Sequence, residues 1–182
     1  NQGSDGKDDL HYNTDATGLG LRNVTVVTNN WTVIDESRDA YTGFKVVENF
    51  SSLSALTEPI TLTRPFAKLR VVTNDIKEMI SVRPAEVKVK YFNTKFYNTF
   101  DAFSAEAKVL VDAPANLTAI LADDTYTGEK PEETGVQTLF ADYFFGAVDD
   151  RVMFTMDVKD NGGVALPKVT FNTNIPVKRN NL

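Results

Sequence analysis

Apolar and polar residues alternate with a period of two along most of this chain, the pattern of strands that bury one face. It is clearest from Arg151 to Lys178. Val152, Phe154, Met156 and Val158 alternate with Arg151, Met153, Thr155, Asp157 and Lys159. Asp160-Asn161-Gly162-Gly163 follows as a turn, because Asn and Gly tolerate positive φ. Val169, Phe171, Thr173, Ile175 and Val177 then alternate with Lys168, Thr170, Asn172, Asn174 and Lys178, completing a predicted hairpin. In Thr61–Thr73, Ala67, Leu69 and Val71 share one face, and Phe66, Lys68, Arg70 and Val72 the other. Pro65 cannot donate to a ladder, so it marks the start of that strand or a sheet edge. In Glu86–Phe100, Val87, Val89 and Tyr91 share a face before the apolar parity switches to Phe92 and Phe96. The switch predicts a bulge or bend near Asn93.

Val24–Val27 and Trp31–Ile34, separated by Thr28-Asn29-Asn30, read as two strands with a turn or one strand with a bulge. Asn74–Ile80 reads as a short helix with Thr73 or Asn74 as N-cap and Ile76, Met79 and Ile80 on one face. With roughly seven to ten strands and at most two short helices, the fold class is all-β, mainly β with one or two short helices, arranged as a β-sandwich. Strands do not alternate with long helical patterns, which excludes a parallel α/β sheet. Ser51–Pro59 is rich in small and polar residues and ends on proline, so the expected division is a partial first sandwich plus linker over 1–59 and a second β-sandwich domain over 60–182.

Composition narrows the chemistry. Of 182 residues, 42% are hydrophobic and 24% charged, ordinary for a folded chain. The net charge of −6 repels phosphate backbones, and no basic patch offsets it, so no nucleic-acid partner is expected. The absence of cysteine excludes disulfides, thiolate catalysis and cysteine-ligated metal. No apolar run approaches the roughly 20 residues of a membrane helix. Asn1–Asp9 is polar and acidic, a lead-in rather than a signal or transit peptide.

Few residues carry candidate chemistry. The single histidine, His11, lies among Asp8, Asp9 and Asp15. A solvated acidic loop is the favoured reading, since metal sites usually draw on more than one His or Cys. No G-x-S-x-G surrounds a serine, which removes the usual nucleophile setting. The pairs Asp123-Asp124, Glu132-Glu133 and Asp149-Asp150 adjoin turn residues and read as solvated turns rather than a glycosidase dyad. Asp157–Gly162 fails the calcium-loop spacing because Lys159 holds the third position. Gly18 and Gly20 lack the strand and helix of a nucleotide-binding loop. Trp31, Tyr41, Phe44, Tyr91, Tyr97, Tyr126 and Tyr143 are either core aromatics or a sugar-binding platform, and core is favoured. Asn23-Val24-Thr25 and Asn116-Leu117-Thr118 match the N-glycosylation pattern, which matters only in a secretory pathway. The expectation is no catalytic, cofactor-binding or metal-binding residues, no cofactor and no enzymatic activity.

Four segments carry a resemblance: Arg38-Asp39-Ala40-Tyr41, Leu62–Arg70 (LTRPFAKLR), Thr138–Phe145 (TLFADYFF) and Thr173–Asn180 (TNIPVKRN). In order and spacing they resemble the fimbrillin-like surface proteins of Bacteroidetes, related to major and minor fimbrial subunits. The resemblance implies transthyretin-like, Greek-key β-sandwich domains, export as a lipoprotein, and display at the outer membrane or in extracellular fimbriae. It also implies other fimbrial subunits as partners, joined by strand pairing at a sheet edge. The chain lacks a lipoprotein signal and lipid-acceptor cysteine, so any membrane contact is expected through an anchor outside it. Its start resembles the late part of a first domain and it stops at Leu182, where the family continues into a further strand, so an internal fragment is expected. The expected function is a structural or adhesive fimbrial subunit. The alternative is a non-polymerising surface lipoprotein that binds glycan or a host ligand.

Overall fold

Four strands make one wall of the core. β4 (Pro84–Tyr91) and β9 (Arg151–Asp160) alternate as their sequences do, burying Val87, Val89 and Tyr91 on one and Val152, Phe154, Met156 and Val158 on the other. The antiparallel register sets Val87 opposite Val158, Val89 opposite Met156 and Tyr91 opposite Phe154, so the apolar residues line up across the sheet. β7 (Leu117–Ile120) pairs with β4, and β10 (Val169–Pro176) pairs with β9, giving the order β10-β9-β4-β7. The structure is a computed structural model. It describes residues 10–14, 18–48, 57, 59–79, 82–114, 116–121, 126–147, 149, 151–166 and 169–179.

The facing layer is built from β3 (Ala67–Thr73), paired with β8 (Gln137–Phe144), and from a second four-stranded sheet. That sheet runs β1 (Tyr12–Asn13), β2 (Val24–Val26), β5 (Lys95–Asp101), β6 (Glu106–Asp112). A bridge between Phe96 and Ala147, with Tyr97 N–H donating to Gly146 O (3.1 Å), joins β5 to the chain just beyond β8. Rings interlock across the two layers, where Tyr91 meets Phe96 at 4.9 Å and Phe140 at 6.3 Å, and within the facing layer, where Phe96 meets Phe144 at 4.7 Å. The fold is an all-β sandwich of antiparallel strands.

β8 is buried on both faces. Phe140 and Phe144 join the interior between the layers, while Tyr143 and the adjoining Phe145 enter a second cluster with Tyr12, Val26, Phe66 and Phe100. A strand with two apolar faces reads as a continuous apolar run, as Leu139–Phe145 does. Tyr12 and Val26, which precede position 59, cover that second face together with Phe66 and Phe100, which follow it. The expected boundary at 59/60 is therefore crossed by the β2–β5 ladder and by a shared apolar cluster.

Two local expectations are corrected and a third is narrowed. Trp31–Ile34 is not a strand: a 3-10 turn at Thr28–Asn30 precedes it, and Ile34, at φ 58°, donates its N–H to Ala141 O (2.8 Å). Over Asn74–Met79 the expected helix is a set of turns, with Glu78 N–H on Asp75 O (2.9 Å) and Met79 N–H on Ile76 O (3.1 Å); Ile80 lies outside the described residues. Ile76 is buried by docking its N–H on Gly135 O (3.2 Å), a tertiary contact that overrides a weak helical preference. Of the bulge or bend expected at the parity switch, Asn93 makes the bend. At φ 48° it turns the chain from β4 in one layer to β5 in the other, so the apolar side must reverse. The α-helical content of the described residues is α1 (Pro131–Thr134), which opens on proline and ends at Gly135, φ 80°.

The predicted hairpin is present. Asp160 Oδ1 accepts from Gly162 N (2.9 Å) and Val164 N (2.8 Å) at its turn, and Val169 and Phe171 pair with Met156 and Phe154. Phe154→Ala is expected to cost about 3–5 kcal/mol in urea unfolding, whereas Ile120→Ala, at an exposed site on β7, stays within about 0.5 kcal/mol.

Candidate functional site

The two most deeply buried charges among the described residues, Arg38 and Asp142, meet. Asp35 caps the 3-10 turn Glu36–Arg38 by accepting from Ser37 N (2.9 Å), and the turn sends Arg38 into the protein. Arg38 is 2% exposed and meets Asp142 of β8, which is wholly buried, with Nη1 2.5 Å from Oδ1. Its remaining donors reach backbone carbonyls, Nη1 to Thr32 O (2.8 Å) and Nη2 to Tyr143 O (2.6 Å). Asp142 Oδ1 also accepts from Trp31 Nε1 (2.9 Å) and Tyr143 N (2.8 Å), and Oδ2 accepts from the Tyr91 hydroxyl (3.0 Å). Tyr12 donates its hydroxyl to Arg38 O (2.8 Å), and the Trp31 ring lies 4.7 Å below the guanidinium.

Burial pushes the Asp142 carboxyl up, while Arg38, Tyr91 and Trp31 oppose the shift. Burial also works against the Arg38 charge, and Asp142 and Tyr12 outweigh it, so the guanidinium holds its proton more tightly. The Asp142 oxygens are occupied and enclosed, which leaves the carboxylate holding segments together rather than meeting a reactant.

A second pair adjoins the first. Lys68 of β3 contacts Glu36 at 3.0 Å, and Tyr143 donates its hydroxyl to Glu36 Oε2 (2.7 Å). Burial opposes both charges. Even so, Tyr126, Tyr143 and the ion pair itself hold Lys68 above its ordinary value and Glu36 below its own. Neither group is poised for proton transfer near neutral pH. Arg64 completes the set, its Nε and Nη2 on the Asp39 carboxylate at 2.8–3.0 Å.

The whole of 1–182 matches one family profile. The chain belongs to the DUF6562 family. The function of DUF6562 is unknown, and no curated protein and no solved structure matches the chain.

The residues singled out in the sequence are scattered in this DUF6562 member. His11 is not in a solvated loop: it is 4% exposed, with Nε2 2.8 Å from Ser37 Oγ and 3.5 Å from Asp35 Oδ2. Ser37 spends its own proton on Asp35 (2.6 Å), so His11 donates from Nε2 as the neutral ring, and Nδ1 is left without a partner. Asp8, Asp9, Asp15, Asp123, Asp124 and Asp150 lie outside the described residues. Among the described residues, no three His, Asp or Glu side chains converge as a metal site would require. Glu132 pairs with Arg83 (2.8 Å) and Glu133 with Lys130 (3.0 Å), both on the surface. Asp149 is exposed. Of the seven aromatics, Tyr91, Tyr126 and Tyr143 are buried, while Tyr41 and Phe44 are exposed. No helix among the described residues is long and apolar enough to cross a membrane. The buried pair escaped the sequence reading, although one signal was present: an aspartate inside the apolar run Leu139–Phe145 must find a partner.

Asp142→Leu alone strands Arg38 and is expected to cost about 3–5 kcal/mol in urea unfolding, while the double change Arg38→Met with Asp142→Leu recovers most of it. A pH test isolates His11. Burial, with Arg38 adding to it and Asp35 opposing, lowers the His11 pKa below 6.5, so the unfolded chain takes up the proton first. Its contribution to stability is complete above 6.5 and declines as pH falls towards the lowered value. Wild type is expected to lose more melting temperature than His11→Gln between about pH 7 and pH 5, the window in which an ordinary histidine titrates.

Proposed function

We propose that the protein is a structural or adhesive subunit of a bacterial cell-surface fimbrium, assembled by pairing a strand from one subunit with an open sheet edge of the next. β6 carries this reading. It ends its sheet, and no strand lies beyond it among the described residues. Its Val109 and Leu110 are 59% and 43% exposed. An unpaired edge offers backbone N–H and C=O groups to an incoming strand, and exposed apolar side chains add burial to that pairing. Val109 stands at φ 57°, which kinks β6 midway and works against indiscriminate pairing. β7 and β10 end the other four-stranded sheet.

Two further observations support the reading. Arg38-Asp39-Ala40-Tyr41, Leu62–Arg70 and Thr138–Phe145, three of the four fimbrillin-like segments, meet through the buried Arg38–Asp142 pair and the partly exposed Arg64–Asp39 pair. That meeting fits a shared framework rather than shared chemistry. The described carboxylates with raised burial are engaged by cations or hydroxyls, which favours a structural role over a hydrolase. Burial of Tyr91, Tyr126 and Tyr143 draws support away from an aromatic glycan platform. Outer-membrane attachment through a lipid anchor belongs to the same proposal.

Electron microscopy of the full-length protein on cells is expected to show fibres. Val109→Lys with Leu110→Lys places charge on the β6 edge and is expected to reduce fibre mass by roughly tenfold, at about 1–2 kcal/mol of lost apolar burial per contact. Wild-type cells without fibres overturn the assembly reading. Fibres unchanged in the double variant overturn the choice of β6.

A further inference from the structure

We infer that the strand β6 meets is β6 of a second copy of this chain, paired antiparallel about a two-fold axis at Leu110. The inference rests on the reading of β6 as an open contact edge and names the partner strand.

The edge is regular enough to pair. Val109 kinks β6, yet the ladder to β5 keeps one register on both sides of it. Lys95 stands opposite Asp112 and Tyr97 opposite Leu110 before the kink, and Thr99 opposite Lys108 and Asp101 opposite Glu106 beyond it. N–H and C=O groups alternate between the two sides of a strand, so an edge with one register towards β5 keeps one register towards a newcomer. Alternation puts Lys108, Leu110 and Asp112, all exposed, on one face and Val109 and Val111 on the other.

The order of these residues selects the partner. About an axis at Leu110, Lys108 of each copy stands opposite Asp112 of the other, Val109 opposite Val111, and Leu110 opposite itself. Opposite charges close both ends and the centre is apolar. Neighbouring registers lose this match. An axis at Val109 sets Glu106 opposite Asp112, and an axis at Lys108 sets that lysine opposite itself. An axis at Val111 sets Lys108 opposite Pro114, which has no N–H for the ladder. A parallel pairing in register sets Glu106, Lys108 and Asp112 each opposite its like. Directly opposed cross-strand residues stabilise a pair when their charges differ and destabilise it when they match.

Both charges remain accessible within the chain. Lys108 Nζ lies 3.2 Å from Asp101 Oδ2 and 3.8 Å from Glu106 Oε2, and its side chain is 49% exposed. Asp112 Oδ1 lies 3.8 Å from Lys95 Nζ, with 89% exposure. A two-fold contact closes on itself, so this pairing alone yields a dimer. Growth into a fibre then uses a further edge, and β7 and β10 end the other four-stranded sheet. The pairing spans only Lys108–Asp112 of each copy, a small interface with an expected Kd on the order of 10–100 µM.

Sedimentation equilibrium of the full chain, from about 5 to 500 µM, is expected to show a monomer–dimer equilibrium in that range. Asp112→Lys and Lys108→Glu each place like charges opposite one another, and each is expected to weaken the dimer at least about tenfold. An equimolar mixture of the two variants is expected to associate about as tightly as wild type, because both cross-axis pairs are then of opposite charge. Asp112→Lys changes an exposed side chain and is expected to keep the wild-type melting temperature, so it carries the test by itself if Lys108→Glu, which loses Asp101, unfolds. A wild type that stays monomeric, a folded Asp112→Lys that dimerises as tightly as wild type, or a mixture of folded variants that stays monomeric would each overturn the inference. Fibres on cells from a protein that is monomeric in solution would remove this contact and leave the fibre reading, and a solution dimer without fibres would do the reverse.

Discussion

A carboxylate with no solvent contact costs several kcal/mol unless its oxygens are met by a counter-charge and further donors. Asp142 faces that demand from the middle of β8, and the protein answers with parts from distant places in the chain. Arg38 comes from a 3-10 turn, Trp31 from the segment before it and Tyr91 from the end of β4. Each donor fixes the segment that carries it. The N-terminal segment thus lies over β8 by a specific electrostatic contact, and the apolar cluster of Tyr12, Val26, Phe66, Phe100, Tyr143 and Phe145 follows from that placement.

With β8 covered on both sides, the polar groups of Asp142 are engaged inside, and β6 ends its sheet among the described residues. The Lys68–Glu36 pair marks the seam between β3 and the turn, close to Tyr126 and Tyr143, and stiffens it.

The sequence showed some of this directly. Arg38, Arg64, Lys68 and Asp142 were visible as members of family-like segments, but nothing local said that they form ion pairs. The aspartate in Leu139–Phe145 signalled a buried partner without saying which. Trp31 and Tyr91 stood out as aromatics read as core rather than as a sugar-binding platform, and nothing local said that both donate to Asp142. His11 was read by its acidic neighbours in sequence, whereas its surroundings in space are Ser37, Asp35 and Arg38.

The sequence by itself determined what depends on neighbours one or two positions apart: the alternation of β4 and β9, the Asp160–Gly163 turn, and the all-β class. A period of two fixes which side of a strand is apolar, and turn residues fix where the chain reverses. The tertiary structure decided what depends on partners far along the chain. It moved Phe96 to the opposite layer from Tyr91, replaced a helix with the docking of Ile76, and set Arg38 against Asp142 across 104 positions. Those outcomes turn on which apolar faces meet and which buried charges find each other, and a local pattern does not encode that choice.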